Sequence, residues 1–495
     1  MAKITFIYPD FDSLGVQYMM ASCLKNGHDV DYVFYQAGDM FAGQKEMDVH
    51  FLNVAKRIAD TNPHIAAFSC VTDNYRSQLG CAKALKTIKP QIKTVFGGIH
   101  PSIVPDLVIK EKAVDCIAIG EAENSFQDFL EKCIINGKFT FPSQPVQGMV
   151  YKSERNIVGD FKESELPDLN KLPFPYKKLF YSKLKSLAYE YYIITARGCP
   201  YNCSYCFNSY LRHSRGKSIV RQRTVDNVID ELLQAKRDYA PKHITFLDDC
   251  FAINDKWLAE FCRRYKNEIN LPFACITRSR YLNEEKVKVL SSAGCYHAQI
   301  GVQSLNAGLC ENILQRESDD IKNGEAILML RKAGIVAHVD HMLGIPGDTP
   351  EMEEDAVLFY NKYKPNVIST FWLTYYPKTS IIDIAKQKGI LNESDIEAIN
   401  EGRPLTKELV HIGGSMKEPD AYYGLCLLFN YLPLLPAWLV RFIVKHKLYK
   451  KLAIKNAFVS FVLPRFLLAV LNRKNFRDRG YMYRYINKIF MQKSK

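Results

Sequence analysis

With 495 residues, 47% of them hydrophobic and 24% charged, the chain is too long for one ordinary core and too apolar for a disordered one, so two or three domains are expected. The net charge of +13 belongs to one end: residues 441–495 hold fifteen Lys and Arg against the single acid Asp478, leaving the first 440 residues almost neutral. Fourteen cysteines are too few for a disulfide framework, and the chain opens directly on a strand pattern with no secretory signal, which points to a reducing cytoplasm.

Residues 1–135 alternate short β-rich runs with helical patterns. The runs are Ile4–Tyr8, Ile65–Ser69, Lys93–Phe96 and Cys116–Ile119, with helices over Gln78–Ile88 and Ser125–Ile134 between or after them. Such alternation predicts a doubly wound, Rossmann-like α/β domain that binds ligands at the carboxyl ends of its strands. The loops there are Pro9–Gly15, Cys70–Asn74, Gly97–Pro101 and Gly120–Glu123, where glycines let a backbone approach a ligand. Residues 136–188 are poorer in pattern and end in Leu172-Pro-Phe-Pro175, as a linker would.

A second alternation runs through 189–390. Candidate strands are Tyr192–Ala196, His243–Leu247, Phe273–Thr277, His297–Gly301, Val336–Leu343 and Val367–Trp372; Val225–Tyr239 reads as an amphipathic helix. Six strand–helix units imply a partial (β/α)6 barrel with its chemistry on the loops after the strands. The first of those loops is Cys199-Pro-Tyr-Asn-Cys203-Ser-Tyr-Cys206. A cubane iron–sulfur cluster takes four cysteine ligands; three leave one iron open, where a cofactor or substrate can bind. Zinc held by these cysteines and His213 is the competing assignment. The isolated cysteines Cys23, Cys70, Cys81, Cys116 and Cys133 read as packing thiols, as do Cys250 and Cys275 near strand ends.

From 391 to 495 the pattern is helical and strongly basic. Ala421–Val444 and Ala457–Leu471 are apolar, but prolines and arginines interrupt both, so neither is a clean membrane span. Bulky apolar and basic residues interleave in Arg441–Lys445, Leu448–Leu452 and Tyr481–Tyr485. That pattern suits a peripheral contact with an anionic membrane surface, or a solvated helical cap over the barrel; nucleic acid is the weakest of the three partners, since no RNA-binding module is present.

With these motifs in order, residues 1 to about 390 resemble the radical S-adenosylmethionine (SAM) enzymes that carry a cobalamin-binding domain, the group of the class B radical SAM methyltransferases. The spacing Cys199-x3-Cys203-x2-Cys206, with aromatic Tyr205 before the last cysteine, is the most specific part of the resemblance. It implies a [4Fe–4S] cluster whose open iron is chelated by SAM, reductive cleavage of SAM to a 5′-deoxyadenosyl radical, and an external electron donor such as flavodoxin or ferredoxin. By local pattern it also implies SAM contacts at Asp248, Asp249, Arg278, Gln303, Ser304, Gly344 and Gly347. Gln303 stands where the family commonly has Glu and so lacks its charge.

For the first domain the resemblance implies cobalamin, with Asp12, Gly15, Ser69, Gly97, Gly98, His100, Gly120 and Glu121 as contacts. Domains that ligate cobalt from below carry Asp-x-His-x-x-Gly after the first strand; here the loop reads Asp10-Phe-Asp12-Ser-Leu-Gly15, so the imidazole is missing. His100 reads as a loop or cofactor-contact residue, not a cobalt ligand. The reaction implied is methylation of an unactivated carbon, or of phosphorus, on a small-molecule or lipid substrate. The alternatives are an oxidative cyclase or rearrangement enzyme and a non-enzymatic cobalamin or iron–sulfur sensor. A methylthiotransferase is disfavoured, because no second cysteine triad precedes the first. A basic tail would place such an enzyme in the cytoplasm, peripheral to the inner membrane surface.

Overall fold

β1 (Lys3–Pro9) has six buried residues of seven, as an apolar strand between two helical layers must. It pairs in parallel with β2 (Asp29–Tyr35) on one side and β3 (Ile65–Ser69) on the other, with Ile4 opposite both Val30 and Ile65. The computed structural model describes residues 1–36, 44–135, 138–153, 156–216, 220–403, 405, 418–471, 479–480 and 482. It divides into two units, Met1–Leu187 with Tyr376–Lys378 and Glu393–Pro404, and Ala188–Tyr375 with Thr379–Asn392 and Leu405–Lys495.

In the first unit β4 (Lys93–Gly97) and β5 (Cys116–Ala118) continue the parallel sheet in the order β2-β1-β3-β4-β5, a doubly wound topology. The order reverses between β1 and β3, and the loops following those two strands flank the crevice where such sheets bind ligands. The stretch expected to be a linker is folded into this unit. β6 (Met149–Ser153) pairs antiparallel with β5, and β7 (Asn156–Val158) with β6, covering what would otherwise be an open sheet edge. Further on, Tyr176 donates its backbone N–H to the Gln17 carbonyl (3.1 Å). The next residue, Lys177, is wholly buried, with Nζ 3.0 Å from Gln17 Oε1 and 3.6 Å from Asp12 Oδ2. Gln17 also donates to Asp12 Oδ1. A lysine cannot be buried without such partners.

The second unit is a six-stranded parallel sheet in sequence order: β8 (Glu190–Ile193), β9 (His243–Phe246), β10 (Phe273–Thr277), β11 (Cys295–Gln303), β12 (Val336–Leu343) and β13 (Val367–Trp372). Each strand leads through helical structure to the next, giving the expected partial barrel. Ala298, Ile300 and Val302 of β11 and Ala337 and Val339 of β12 pack under the helices. Alternation therefore puts His297, Gln299, His338 and Asp340 on the opposite, inner face. There they hydrogen-bond one another, His297 to His338 at 3.0 Å and Gln299 to Asp340 at 2.6 Å.

The C-terminal region adds to this unit's core. Pro433 and Pro436 break the apolar run into helices Pro419–Tyr431 and Ala437–Lys445, whose Leu425, Phe429, Val440 and Val444 join the barrel's apolar cluster. From helix Leu463–Leu471, Arg465 donates to Ser369 Oγ and lies 3.4 Å from His338 Nε2 on the inner face. Of the basic and aromatic segments expected to act together, Tyr481–Tyr485 falls largely outside the described residues.

Two consequences for stability follow. Lys177→Ala leaves Asp12 buried without its cation and is expected to destabilise the first unit by about 3–5 kcal/mol, measured by urea unfolding; a loss under about 1 kcal/mol would show the pair is not buried in solution. In the second unit, burial and the Glu353 charge push the Asp348 carboxyl up to about 9, and burial pushes Glu353 up to about 8. Both keep protons in the fold that the unfolded chain releases near 4, so their stabilisation falls as pH rises towards 9. His341, lowered by burial to about 4 from 6.5, acts oppositely only below 6.5. Thermal stability should therefore decline from pH 6.5 to 9, and Glu353→Gln should flatten the decline; an unchanged slope would exclude this network as its source.

Candidate active site

The three-cysteine loop leaves β8 through Gly198, whose φ of +96° lies in the region that favours glycine. Cys206 then caps the helix Phe207–Ser214. The loop is fixed from outside by Ser204, which donates its backbone N–H to the Leu314 carbonyl (2.9 Å) and its hydroxyl to the Ile313 carbonyl (2.6 Å). Its own carbonyl accepts from the Ile381 N–H (3.0 Å). A second brace is the Arg278 guanidinium, 3.6 Å from the centre of the Tyr201 ring, while the Tyr201 hydroxyl bonds that of Tyr281 at 2.6 Å.

The loop brings its thiols together. Cys203 is buried, Cys199 and Cys206 are half-buried, and the charges of Cys203, Asp249 and Cys199 all act on Cys206. Burial pushes the Cys206 thiol up to about 12 and raises that of Cys199. Bare thiolates are thus unfavourable here, and cationic metal would supply the charge that stabilises them. His213 is drawn away, its Nδ1 2.7 Å from the Ser209 carbonyl. Among the described residues no group of three or more Cys, His, Asp or Glu side chains, these three thiols included, is gathered closely enough to hold a metal ion. With His213 engaged by Ser209, the three thiols of one loop fit a cluster with an open iron better than a closed zinc site.

Around the loop, the residues named from sequence take different positions. Asp248 is buried and its carboxylate is occupied, accepting from Thr195 N (3.0 Å) and Oγ1 (2.7 Å), so it ties the end of β9 to that of β8. Asp249 is exposed beside the thiols; partial burial raises its carboxyl and a hydrogen bond from Asn208 opposes that. Arg278 keeps a buried Nη1 without a partner among the described residues. At the end of β11 the register shifts between Gly301 and Gln303, and Gln303 adopts φ +74°. A Cβ on Gly301 would stand 2.8 Å from Gln303 Nε2, so the glycine lets that amide fold back over the strand end. Ser304 is buried, its Oγ accepting from Asn306 N at 3.2 Å. Gly344 and Gly347, with φ of +75° and +97°, form the turn after β12, where the Gly344 N–H donates to Asp348 Oδ2 (3.1 Å). Behind it Glu353 Oε2 lies 2.6 Å from His341 Nε2.

Arg316 was not singled out by motif, yet its guanidinium donates to the Gly301 carbonyl and lies 4.0 Å from Cys203 Sγ. It sits thirteen positions past Gln303 in the polar, charged stretch Gln315-Arg316-Glu317-Ser318, where nothing in the sequence set it apart from its neighbours.

In the first unit Ser69, Gly97 and Gly98 end β3 and β4. Cys70 N donates to the Gly97 carbonyl (2.7 Å), and a Cβ on Gly98 would lie 2.6 Å from the Cys70 carbonyl oxygen, so the two loops close on each other. His100 is fully buried: its Nδ1 lies 3.2 Å from Thr72 Oγ1, its ring lies 4.2 Å from that of Tyr75, and burial lowers it to about 4. Burial favours its neutral form, and its Nε2 is buried without a partner among the described residues. Gly120, at φ +72°, is covered by Glu163, and Glu121 follows it half-buried. Gly15 faces open space. Asp12 stands where an imidazole would be; its Oδ1 accepts from Gln17 and its buried Oδ2 faces Lys177 Nζ at 3.6 Å. Tyr35 Oη at the end of β2, and Asn74 Nδ2 and Gln78 Oε1 on the helix Thr72–Ile88 that follows β3, are buried without partners among the described residues. Buried polar groups left open at the carboxyl end of a doubly wound sheet would suit an amide-rich ligand such as cobalamin.

Comparison with known proteins agrees with this geometry. The B12 binding domain model matches residues 4–130 and the Radical SAM superfamily model residues 193–359. An uncharacterized methyltransferase of Pyrococcus horikoshii, PH0819, is 26% identical over 386 residues, covering 76% of this chain and 79% of its own. The anaerobic magnesium-protoporphyrin IX monomethyl ester cyclase of Rubrivivax gelatinosus is 24% identical, covering 82% of this chain and 73% of its own. In fold, the radical SAM methyltransferase TsrM of Kitasatospora setae, solved with cobalamin and a [4Fe–4S] cluster bound, aligns with a TM-score of 0.60 at 17% identity over 78% of each chain. The chain thus joins a B12-binding domain to a radical SAM domain, and it belongs to the cobalamin-binding-domain radical SAM enzymes, with a [4Fe–4S] cluster, SAM and cobalamin as the cofactors those domains imply.

Proposed function

We propose that this enzyme methylates an unactivated carbon, or a phosphorus, of an apolar small molecule of the lipid or isoprenoid class, drawing electrons from an external flavodoxin- or ferredoxin-type donor. The observation that carries the reading is the three-thiol loop after the first strand of a radical SAM domain, in a chain that also holds a doubly wound B12-binding domain with buried polar groups left without partners among the described residues. When bound, the cluster and SAM supply a 5′-deoxyadenosyl radical able to abstract hydrogen, and cobalamin supplies the methyl group.

The residues prepare that chemistry in distinct ways. Cys199, Cys203 and Cys206 hold the metal, and Ser204 fixes the backbone between them. Arg316 sets a guanidinium 4.0 Å from Cys203 Sγ, at the edge of the metal-binding loop. Asp249, the unpartnered Nη1 of Arg278, the Gln303 amide and Ser304 offer the donors and acceptors that a zwitterionic amino acid and a ribose require. The turn Gly344–Gly347 presents backbone where an adenine can pack. Asp248 acts at one remove, positioning the ends of β8 and β9. A second reading, oxidative cyclisation, is favoured by the extent of the match to the Rubrivivax gelatinosus cyclase.

Anaerobic reconstitution with iron, sulfide, cobalamin and reductant should yield 5′-deoxyadenosine from SAM, and Cys203→Ala should abolish it. With an accepted substrate, label from the SAM methyl group should appear in the product. SAM cleavage without methyl incorporation would move the assignment to the cyclase, and no cleavage at all would favour a sensor. Gly301→Ala, which forces the Gln303 amide aside, should weaken SAM binding on the order of tenfold with cluster content unchanged. Unaltered SAM affinity in that variant would remove Gln303 from the site.

A further inference from the structure

The helix Ala437–Lys445 has two opposed faces. Val440 and Val444 are buried in the barrel's apolar cluster. Trp438, Arg441, Phe442 and Lys445, spaced by three, one and three residues, share the other face and are all exposed, with 64% of Trp438 and 48% of Phe442 open to solvent. The helix is pinned in place: Asn361 Nδ2 donates to the Ala437 carbonyl and Lys364 Nζ to the Leu435 carbonyl, both at 3.0 Å. An indole and a phenyl ring are therefore held outward on a rigid element, where burying them would gain apolar contact at little cost in ordering.

The charges around these rings narrow the occupant. Neighbouring Lys447, Lys450 and Lys455 are paired with Glu351 and Glu354, Glu418 and Asp420. Among the described residues no acid pairs with Arg441 or Lys445, so the face presents two aromatics flanked by two unneutralised cations. A second copy seated on it two-fold would set cation against cation. No helix among the described residues is long and apolar enough to cross a membrane. We propose that this face docks the protein peripherally on an anionic lipid bilayer, with Trp438 and Phe442 entering the interface and Arg441 and Lys445 meeting the headgroups. The proposal deepens the lipid-class reading of the substrate, on which it rests for its purpose but not for its geometry.

Co-flotation of the full chain with vesicles tests it. Binding is expected to an equal mixture of phosphatidylcholine and phosphatidylglycerol, with little to phosphatidylcholine alone, and should weaken with added salt. The double variant Arg441→Gln/Lys445→Gln should lose affinity on the order of twenty-five-fold, about fivefold per cation. Trp438→Ala/Phe442→Ala should likewise float poorly, and the blue shift of tryptophan emission on mixed vesicles should vanish with it. Both pairs lie on the surface, so SAM cleavage should be unchanged in each. A wild-type protein that stays in the soluble fraction overturns the proposal. So do variants that float like wild type, or self-association without vesicles that the Trp438→Ala/Phe442→Ala variant abolishes. SAM cleavage without flotation would remove this surface and leave the proposed reaction standing; flotation without cleavage would do the reverse.

Discussion

Three thiols can meet one metal cluster only if the short backbone that carries them is held still, and that backbone cannot hold itself. The loop between Cys199 and Cys206 has two residues between its last cysteines and no regular structure until the helix after Cys206. Its rigidity comes from Ser204, whose N–H, hydroxyl and carbonyl are all engaged, with Leu314, Ile313 and Ile381. Those partners lie more than one hundred residues downstream, in the segment after β11 and the helix Ser380–Gln387. The geometry of the thiols therefore depends on the whole strand sequence from β8 to β13 having closed correctly. Arg316, in the same downstream segment, brings its charge to Cys203 by that same closure.

The first unit solves a different problem. A loop that in related domains offers an imidazole to cobalt instead carries Asp12, and the structure neutralises that carboxylate internally. Lys177 reaches it from 165 positions away because Tyr176 has docked on the Gln17 carbonyl. A buried pair of this kind stabilises little relative to apolar packing, but it is strict in its geometry, since loss of either partner strands the other. The loop after β1 is thereby held in one conformation without a metal bond. What the connector contributes is positional: with β6 and β7 it seals a sheet edge, and with Lys177 it shapes the crevice at the strand switch.

The legible parts of the molecule were those whose signals are local. β1, β3 and β4 are short apolar runs bounded by turn residues, and the helix Val225–Tyr239 shows its buried stripe and its Thr224 cap within fifteen residues. The three cysteines were legible because their ligand chemistry is written in their spacing. The connector was not, because β6 and β7 are five and three residues long and are strands only through pairing, β6 with β5 and β7 with β6. Arg316 escaped because an arginine in a polar turn looks like any solvated side chain until the fold buries it against Gly301. His100 shows what a sequence leaves open: its Nδ1 meets Thr72 and its ring lies against Tyr75, while its Nε2 is buried without a partner among the described residues, an arrangement that only the packing reveals.

The basic tail shows why charge counting alone could not separate a cap from a surface. Arg465 contributes to the net charge exactly as Arg441 does, but it bonds Ser369 on the inner face of the barrel, whereas Arg441 stands in solvent. Prolines 433 and 436 decide the matter, because they stop one long apolar helix and allow the chain to turn. Helix Pro419–Tyr431 then lies in the core, and Gly424 is needed there, since a Cβ would meet the Tyr449 carbonyl oxygen at 1.8 Å. Once that helix is fixed, the next one has only Val440 and Val444 to bury, and its remaining bulky side chains must face outward. Capping the barrel and presenting an aromatic, cationic face are then one consequence of the same two prolines.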